Sequence, residues 1–393
     1  MKQLLKQYNF SNREISEYLS THGFDKSKND TLKNNFISCY KYLIKLKYSH
    51  DEVVKIIKKC PEITSYSKLT FDNKLNNIKK LGYSASQVLA MIKSFPTMLT
   101  YNENSINQKV DDLTFLLYDR KKVLKILLKK PNLFSHSMYT IETNILELIN
   151  LGYEEEELRK MYFKEPTLLY YINDTIKNKI TEIMKLGFTY DDIINMSKEA
   201  PEILTYDSIS LKNKYDNLIK NGYTIAQAKK LCISSPLVLN RKCTLITKKI
   251  NDITNIGYTR EQVIHMSLGY KSLYNFDVSR YIDYFNGFRN LGYTDEEIIK
   301  MTTCLPTLYG YKFDKTKDKI EYLKSIGLDF IVLEQTKRLM IGLDLLYARY
   351  EFLTREMNID INSNFYSILF EGNKQFEDCY KISRKELVKK YPL

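Results

Sequence analysis

One phrase recurs through this chain at a fixed interval of 35 residues, and few architectures accept such a pattern. Its clearest copy reads Gly292-Tyr293-Thr294-Asp295-Glu296-Glu297-Ile298, followed by Pro306-Thr307-Leu308. Steps of 35 from Tyr48 land on Tyr83, Tyr118, Tyr153, Phe188, Tyr223, Tyr258 and Tyr293. Thirteen residues after these aromatics come Pro61, Pro96, Pro131, Pro166, Pro201, Pro236, Lys271 and Pro306, so seven of the chain's eight prolines share one repeat position. Seven of its thirteen glycines precede the aromatic position: Gly82, Gly152, Gly187, Gly222, Gly257, Gly292 and Gly327. A period of this length sustained over eight units signifies a solenoid, in which each unit buries its apolar face only against its neighbours.

Within a unit, the residue after the aromatic is Ser49, Ser84, Asp119, Glu154, Thr189, Thr224, Thr259 or Thr294. All but the glutamate are good N-cap residues, whose side-chain oxygen satisfies an orphan amide of the first turn. Three residues on stand Glu52, Gln87, Lys122, Glu157, Asp192, Gln227, Gln262 and Glu297, mostly the reciprocal half of a capping box. A first helix is therefore expected here, burying pairs such as Val53 and Ile56, or Ile298 and Met301. The proline ends that helix and suits the first position of a short turn. A brief second helix or 3₁₀ turn is thus expected over pairs such as Met98-Leu99 and Leu168-Leu169. The third helix carries an apolar stripe, as at Ile106, Val110, Leu113 and Leu116, or Ile176, Ile180, Ile183 and Leu186. It stops at the glycine, where a left-handed conformation is least strained. With no strand pattern anywhere, the expected fold is all-α: a right- or left-handed α-solenoid superhelix of about eight three-helix units with terminal caps.

Residues 1–45 read as an N-terminal capping repeat opened by a Ser11/Glu14 capping box, residues 46–330 as the repeat array, and residues 331–393 as a degenerate last repeat with a basic C-terminal cap. In that last repeat Ile341 occupies the proline position, and the third-helix stretch around Arg349 arrives about five residues early.

A net charge of +13 favours polyanionic partners. The six cysteines form no Cys-x-x-Cys pair, so free thiols in a reducing compartment are expected. The four histidines fall at different repeat positions, which argues against a metal site. No run reaches the ~18 apolar residues of a membrane span. Glu14 and Glu17 sit poorly in an acid-poor presequence, and Phe10-Ser11-x-x-Glu14-Ile15 already imitates the repeat's start. A bacterial-type cytoplasmic location is expected, with mitochondria or plastids as the alternative. There is no phosphate-cradling glycine loop, paired histidine motif or repeated acidic pair outside helix caps. Neither catalytic residues nor a cofactor nor enzyme activity is expected.

The recurring Leu-Gly-Tyr-Ser/Thr-x-x-Glu/Gln-Ile/Val, with its later Pro-x-Leu-Leu and a Lys-apolar-x-x-Leu third helix, resembles the repeat of the mitochondrial transcription termination factor (mTERF) family. The resemblance covers roughly residues 46–360. It implies a superhelix of three-helix repeats whose basic groove holds nucleic acid, in proteins that act on organelle transcription, rRNA or translation. Lys271 departs from the proline pattern, and a softer seventh unit is expected there.

The sharpest candidate site is a basic column in the third helix. Twenty-six residues after each aromatic come Lys74, Lys109, Asn144, Lys179, Lys214, Lys249, Tyr284 and Lys319, and the shifted last unit offers Arg349. Each precedes an apolar residue at the stripe's edge, from where an ammonium could reach one face of the solenoid. Spaced ~10 Å apart by stacked helices, such a row suits a phosphate backbone, and the seven cations are the expected nucleic-acid ligands. The bland reading is a lysine that only covers the core edge. A second cluster, Lys58, Lys59, Lys93, Lys129, Lys130, Lys164 and Lys198, lies at the end of the first helix, where the helix dipole favours cations in any case. A column of aromatics, Tyr66, Tyr101, Tyr171, Tyr206, Phe276 and Tyr311, fits packing better than base stacking.

The function expected is therefore a non-enzymatic, monomeric binder of double-stranded DNA or structured RNA that regulates transcription, rRNA or translation. An α-solenoid scaffold for other proteins is the alternative. The period also matches pentatricopeptide repeats, but those two-helix hairpins lack the phased prolines.

Overall fold

The structure, a computed structural model, describes residues 1–23, 25, 27, 29–171, 173–359 and 365–393, with backbone alone at 173 and 174. The described residues form 24 α-helices and no strand. They divide into two compact units: residues 1–182 with 200–205, and residues 183–199 with 206–393.

In the first unit, α1 (Lys2–Gln7), α2 (Asn12–Thr21) and α3 (Asn29–Lys45) precede the repeats, and Ser11 and Glu14 form the expected capping box of α2. Next come α4 (His50–Lys59), α5 (Lys68–Lys80), α6 (Ala85–Ser94), α7 (Glu103–Leu117), α8 (Arg120–Lys129), α9 (Met138–Asn150), α10 (Glu155–Lys164) and α11 (Asn173–Met184), whose last two residues belong to the second unit. That unit continues with α12 (Tyr190–Glu199), α13 (Ser208–Lys220), α14 (Ile225–Ser234), α15 (Cys243–Thr254), α16 (Arg260–Gly269), α17 (Val278–Asn290), α18 (Asp295–Cys304), α19 (Phe313–Ser325), α20 (Phe330–Glu334) and α21 (Leu343–Arg355). It closes with α22 (Phe365–Leu369), α23 (Asn373–Tyr380) and α24 (Arg384–Lys390). From α4 to α21, even numbers are the first helices of the repeats and odd numbers the third.

The caps act as the sequence predicts. Ser49, Ser84, Thr224, Thr259 and Thr294 each accept from the amide three residues on, while the Glu or Gln there accepts from the cap's own amide. Except after Thr259, a proline opens the following 3₁₀ turn, for example Pro61–Ser65, Pro96–Thr100 and Pro306–Gly310. In the seventh repeat, where Lys271 replaces proline, the turn shrinks to Leu273–Asn275. Units are stitched by their repeat tyrosines. Tyr48 donates to the carbonyl of Leu89 in α6 (2.7 Å), and Tyr83 to that of Leu124 in α8 (2.8 Å). In the second unit Tyr258 shares buried hydrogen bonds with Thr302 and Tyr309 of the next repeat, and Tyr223 does the same with Ser267 and Tyr274.

All seven glycines of the column have positive φ. At Gly187 φ is +92°, and an added Cβ would meet nothing within 4 Å. Gly187→Val is therefore expected to destabilise by about 1 kcal/mol or more through backbone strain alone. A melting curve superimposable on the wild type's would show that the glycine has another purpose.

Two expectations are corrected. Tyr118 keeps the 35-residue register but not the role: it is 71 % exposed, whereas Tyr83 and Tyr153 are buried. Leu117 stands where its neighbours have glycine, so α7 runs through it, and the left-handed conformation falls on Tyr118 itself (φ +57°). Leu117 fills the core in its stead, and the aromatic ring turns outward. In the degenerate last repeat, the five missing residues are lost from the first helix. α20 has five residues where its counterparts have ten, and its 3₁₀ turn opens at Thr336, not at Ile341. Asp329 makes no side-chain cap hydrogen bond, so this helix has no anchor at the usual start.

All six cysteines are free thiols. No helix among the described residues is long and apolar enough to cross a membrane.

Candidate nucleic-acid interface

The third-helix column does not reach outward. Lys74 donates to the backbone carbonyl of Tyr101, Lys109 to that of His136, Lys214 to Leu239, Lys249 to Phe276 and Lys319 to Leu339 (2.6 Å). Tyr101, His136 and Phe276 close the 3₁₀ turn of the following repeat and Leu239 and Leu339 lie in its last residues, where helical carbonyls run out of amide partners. An ammonium there is favoured by the negative end of the turn. The two members without charge do the same work. Asn144 donates to the carbonyl of Leu169 (3.2 Å), and Tyr284 to that of Tyr311 (2.5 Å). What the position keeps is a hydrogen-bond donor, with or without charge.

Burial agrees. Lys179 is buried, and burial pushes the ammonium groups of Lys109, Lys214 and Lys319 below the ordinary lysine range. Arg349 is 2 % exposed. Its guanidinium donates to the carbonyls of Leu369 (3.1 Å) and Glu371 (2.7 Å) and to Asn373 Oδ1 (3.1 Å), and it lies 4.3 Å from the centroid of the Phe376 ring. Desolvation pushes its pKa down to about 10. The structure thus places six of these seven cations as caps between repeats and buries the seventh, Lys179, so that none stands at the open edge inferred from the stripe.

Exposed cations sit on the first helices. In α4, α8 and α10 a lysine stands seven and another eleven residues after the repeat aromatic: Lys55 and Lys59, Lys125 and Lys129, Lys160 and Lys164. A spacing of four puts each pair on one helix face. The opposite face is core, as with Val53, Ile56 and Ile57 of α4 and Val123, Ile126 and Leu127 of α8. All six lysines are exposed, as is Lys93 of α6. The C-terminal halves of these four helices contain no acidic residue, since the carboxylates gather at the N-termini, as at Asp51, Glu52 and Glu155 to Glu157.

Lys93 pairs with Glu52, Lys160 with Glu156 (3.4 Å), and Lys129 donates to the carbonyl of Lys164. Lys55, Lys59 and Lys125 have no partner among the described residues. Of the second cluster, Lys58 is half-buried and engaged with Glu14 (3.1 Å) and the carbonyl of Asn9 (2.6 Å). Lys130 is half-buried, and Lys198 belongs to the second unit. There the equivalent positions are thinner in charge, with Asn195, Lys230, His265 and Lys300 seven residues after the aromatic. Lys55, Lys125 and Lys160 escaped the sequence reading, although lysine recurs at that repeat position in five of eight units.

In the aromatic column Tyr66, Tyr101, Tyr171, Tyr206 and Phe276 are half-buried and Tyr311 is exposed; Tyr206 donates to Asn240 Oδ1 (3.2 Å), and its ring centroid lies 4.2 Å from the Lys214 ammonium. No group of three or more His, Cys, Asp or Glu capable of holding a metal occurs among the described residues. A sequence model of the mTERF family matches residues 3–117, 102–228 and 220–326, most of the chain. No individual curated protein matches it.

Proposed function

Because this chain belongs to the mTERF family, we propose that it is a nucleic-acid-binding protein that grips duplex DNA or structured RNA by its phosphates along the exposed lysines of α4, α6, α8 and α10. The observation that carries this is their acid-free C-terminal halves, on which lysines recur at one repeat position and three have no partner among the described residues. A row of ammonium groups in fixed register follows a backbone and carries no sequence code. The protein acts without catalysis, as a regulator of transcription, rRNA or translation.

The test is affinity for a duplex against salt. Each neutralised phosphate contributes about −0.9 to the slope of log K against log salt. Replacing Lys55, Lys125 and Lys160 with glutamine is expected to flatten that slope by about 2.7, equally on unrelated sequences. These exposed side chains contribute little to folding, so the melting curve should stay put. An unchanged slope in the triple variant, or no binding at low ionic strength, would sink the proposal.

A further inference from the structure

The repeat supplies its own control for what is unusual on the surface. Thirty-two residues after the aromatic, the units carry Lys80, Phe115, Asn150, Lys185, Lys220, Asn255, Asn290 and Ser325, so phenylalanine is the single apolar member. At twenty-eight residues they carry Asn76, Asp111, Leu146, Thr181, Asp216, Asn251, Asn286 and Glu321, and again one is apolar. Phe115 is 80 % and Leu146 61 % exposed. Both line one groove of about 420 Å³ with the outward-turned Tyr118, the residue displaced by the missing glycine. Three independent departures from the repeat therefore meet in space, within the first compact unit. Random drift of surface positions would scatter them.

The groove has a wall, a floor and a charged lip. Arg159 lies 4.5 Å from the centroid of the Tyr118 ring and is pinned by Glu155 (2.9 Å) and Glu156 (3.3 Å). Leu158 and Tyr162 form the floor, and the Tyr162 hydroxyl is buried without a hydrogen-bond partner among the described residues. A buried hydroxyl left so is costly, and an occupant that reached it would remove that cost. At the lip stands Glu142, exposed and unpaired among the described residues, at a repeat position that carries Asp72, Asn107, Lys177, Lys212, Thr247, Ile282 and Lys317 in the other units. With Glu155 it gives the groove two carboxylates on a chain of net charge +13.

We propose that this groove docks a cationic amphipathic helix of a partner protein, with apolar side chains against Phe115, Tyr118 and Leu146 and its lysines or arginines against Glu142 and Glu155. Apolar anchors with an acidic rim are what such a helix recognises. The apolar anchors of this groove are distinct from the lysines assigned to nucleic acid.

The probe is a dye-labelled amphipathic helical peptide of leucine and lysine, compared with a leucine and glutamate peptide of the same pattern, titrated against the full chain by fluorescence anisotropy. The lysine peptide is expected to bind at least about tenfold more tightly than the glutamate peptide. Leu146→Asp and Phe115→Ser should each weaken it about tenfold or more, as loss of a central anchor does. Both residues are exposed, so circular dichroism and the salt dependence of duplex binding should not change. Tyr162→Phe should keep the fold. Equal affinity for the two peptides, or an undiminished affinity in Leu146→Asp, overturns the proposal. So does a wild-type oligomer that Leu146→Asp converts to monomer, since the face would then serve a second copy of this chain.

Discussion

Arg349→Met is expected to destabilise the protein by about 3 kcal/mol or more, the largest loss of any single change at the repeat junctions. Methionine keeps the length of the stem but has no donor, so the carbonyls of Leu369 and Glu371 and the amide oxygen of Asn373 lose their partner together. Hydrogen bonds from a charged donor are each worth ~1.5–3 kcal/mol, and buried acceptors left alone add their desolvation. The same logic grades the column. Lys109→Met should cost about 1.5–3 kcal/mol, and Tyr284→Phe, which removes a neutral donor to the Tyr311 carbonyl, about 1 kcal/mol. Urea denaturation of the three variants tests the ranking, and duplex binding tests its meaning. If Lys109→Met kept full stability while the salt slope of binding flattened by about one, the column would be restored as the phosphate contact.

Alkali is expected to unfold the protein cooperatively between about pH 10 and pH 12. The cause is the burial of tyrosines that stitch the repeats. Burial holds the phenols of Tyr18 and Tyr258 up to about 12, and those of Tyr48, Tyr83 and Tyr281 higher still. A folded-state pKa raised above the unfolded value means stability that is complete below pH ~10 and is lost as pH climbs through the folded values. Each phenol that ionises only on unfolding removes about 1.4 kcal/mol per pH unit across that window. Several act at once, so the decline is steep. Tyrosinate absorbance should rise in two stages, the exposed rings first and the buried ones together with the loss of helical circular dichroism. A single gradual titration of all 32 tyrosines with the helices intact would contradict this account.

The local elements were legible because their causes are local. A serine or threonine three residues ahead of Glu or Gln opens a helix, Pro61 or Pro96 closes it, and Gly187 turns the chain out of the next one. Each signal acts through backbone groups a few residues away, and eight phased copies made the pattern unmistakable. Even the exceptions carried information. The absence of glycine at Leu117 was visible, but not that the left-handed turn would shift to Tyr118 and expose its ring.

The candidate site was legible only in part, and the lysine column shows why. From its repeat position alone, Lys109 at the edge of an apolar stripe could face water or the next repeat with equal sense. The choice depends on whether an unsatisfied carbonyl lies within reach, here that of His136, 27 residues on. Asn144 and Tyr284, which look like gaps in a charge pattern, prove to be members of a donor pattern once their acceptors are seen. By itself, then, the sequence determined the family, the all-α repeat, the helix boundaries of the regular repeats and the excess of positive charge, all of which follow from short-range backbone chemistry and composition. Only the tertiary structure decided which cations are consumed in capping the next repeat and which, such as Lys55, Lys59 and Lys125, are left in water. That division is set by distances between residues far apart in the chain, and periodicity within one unit does not encode them.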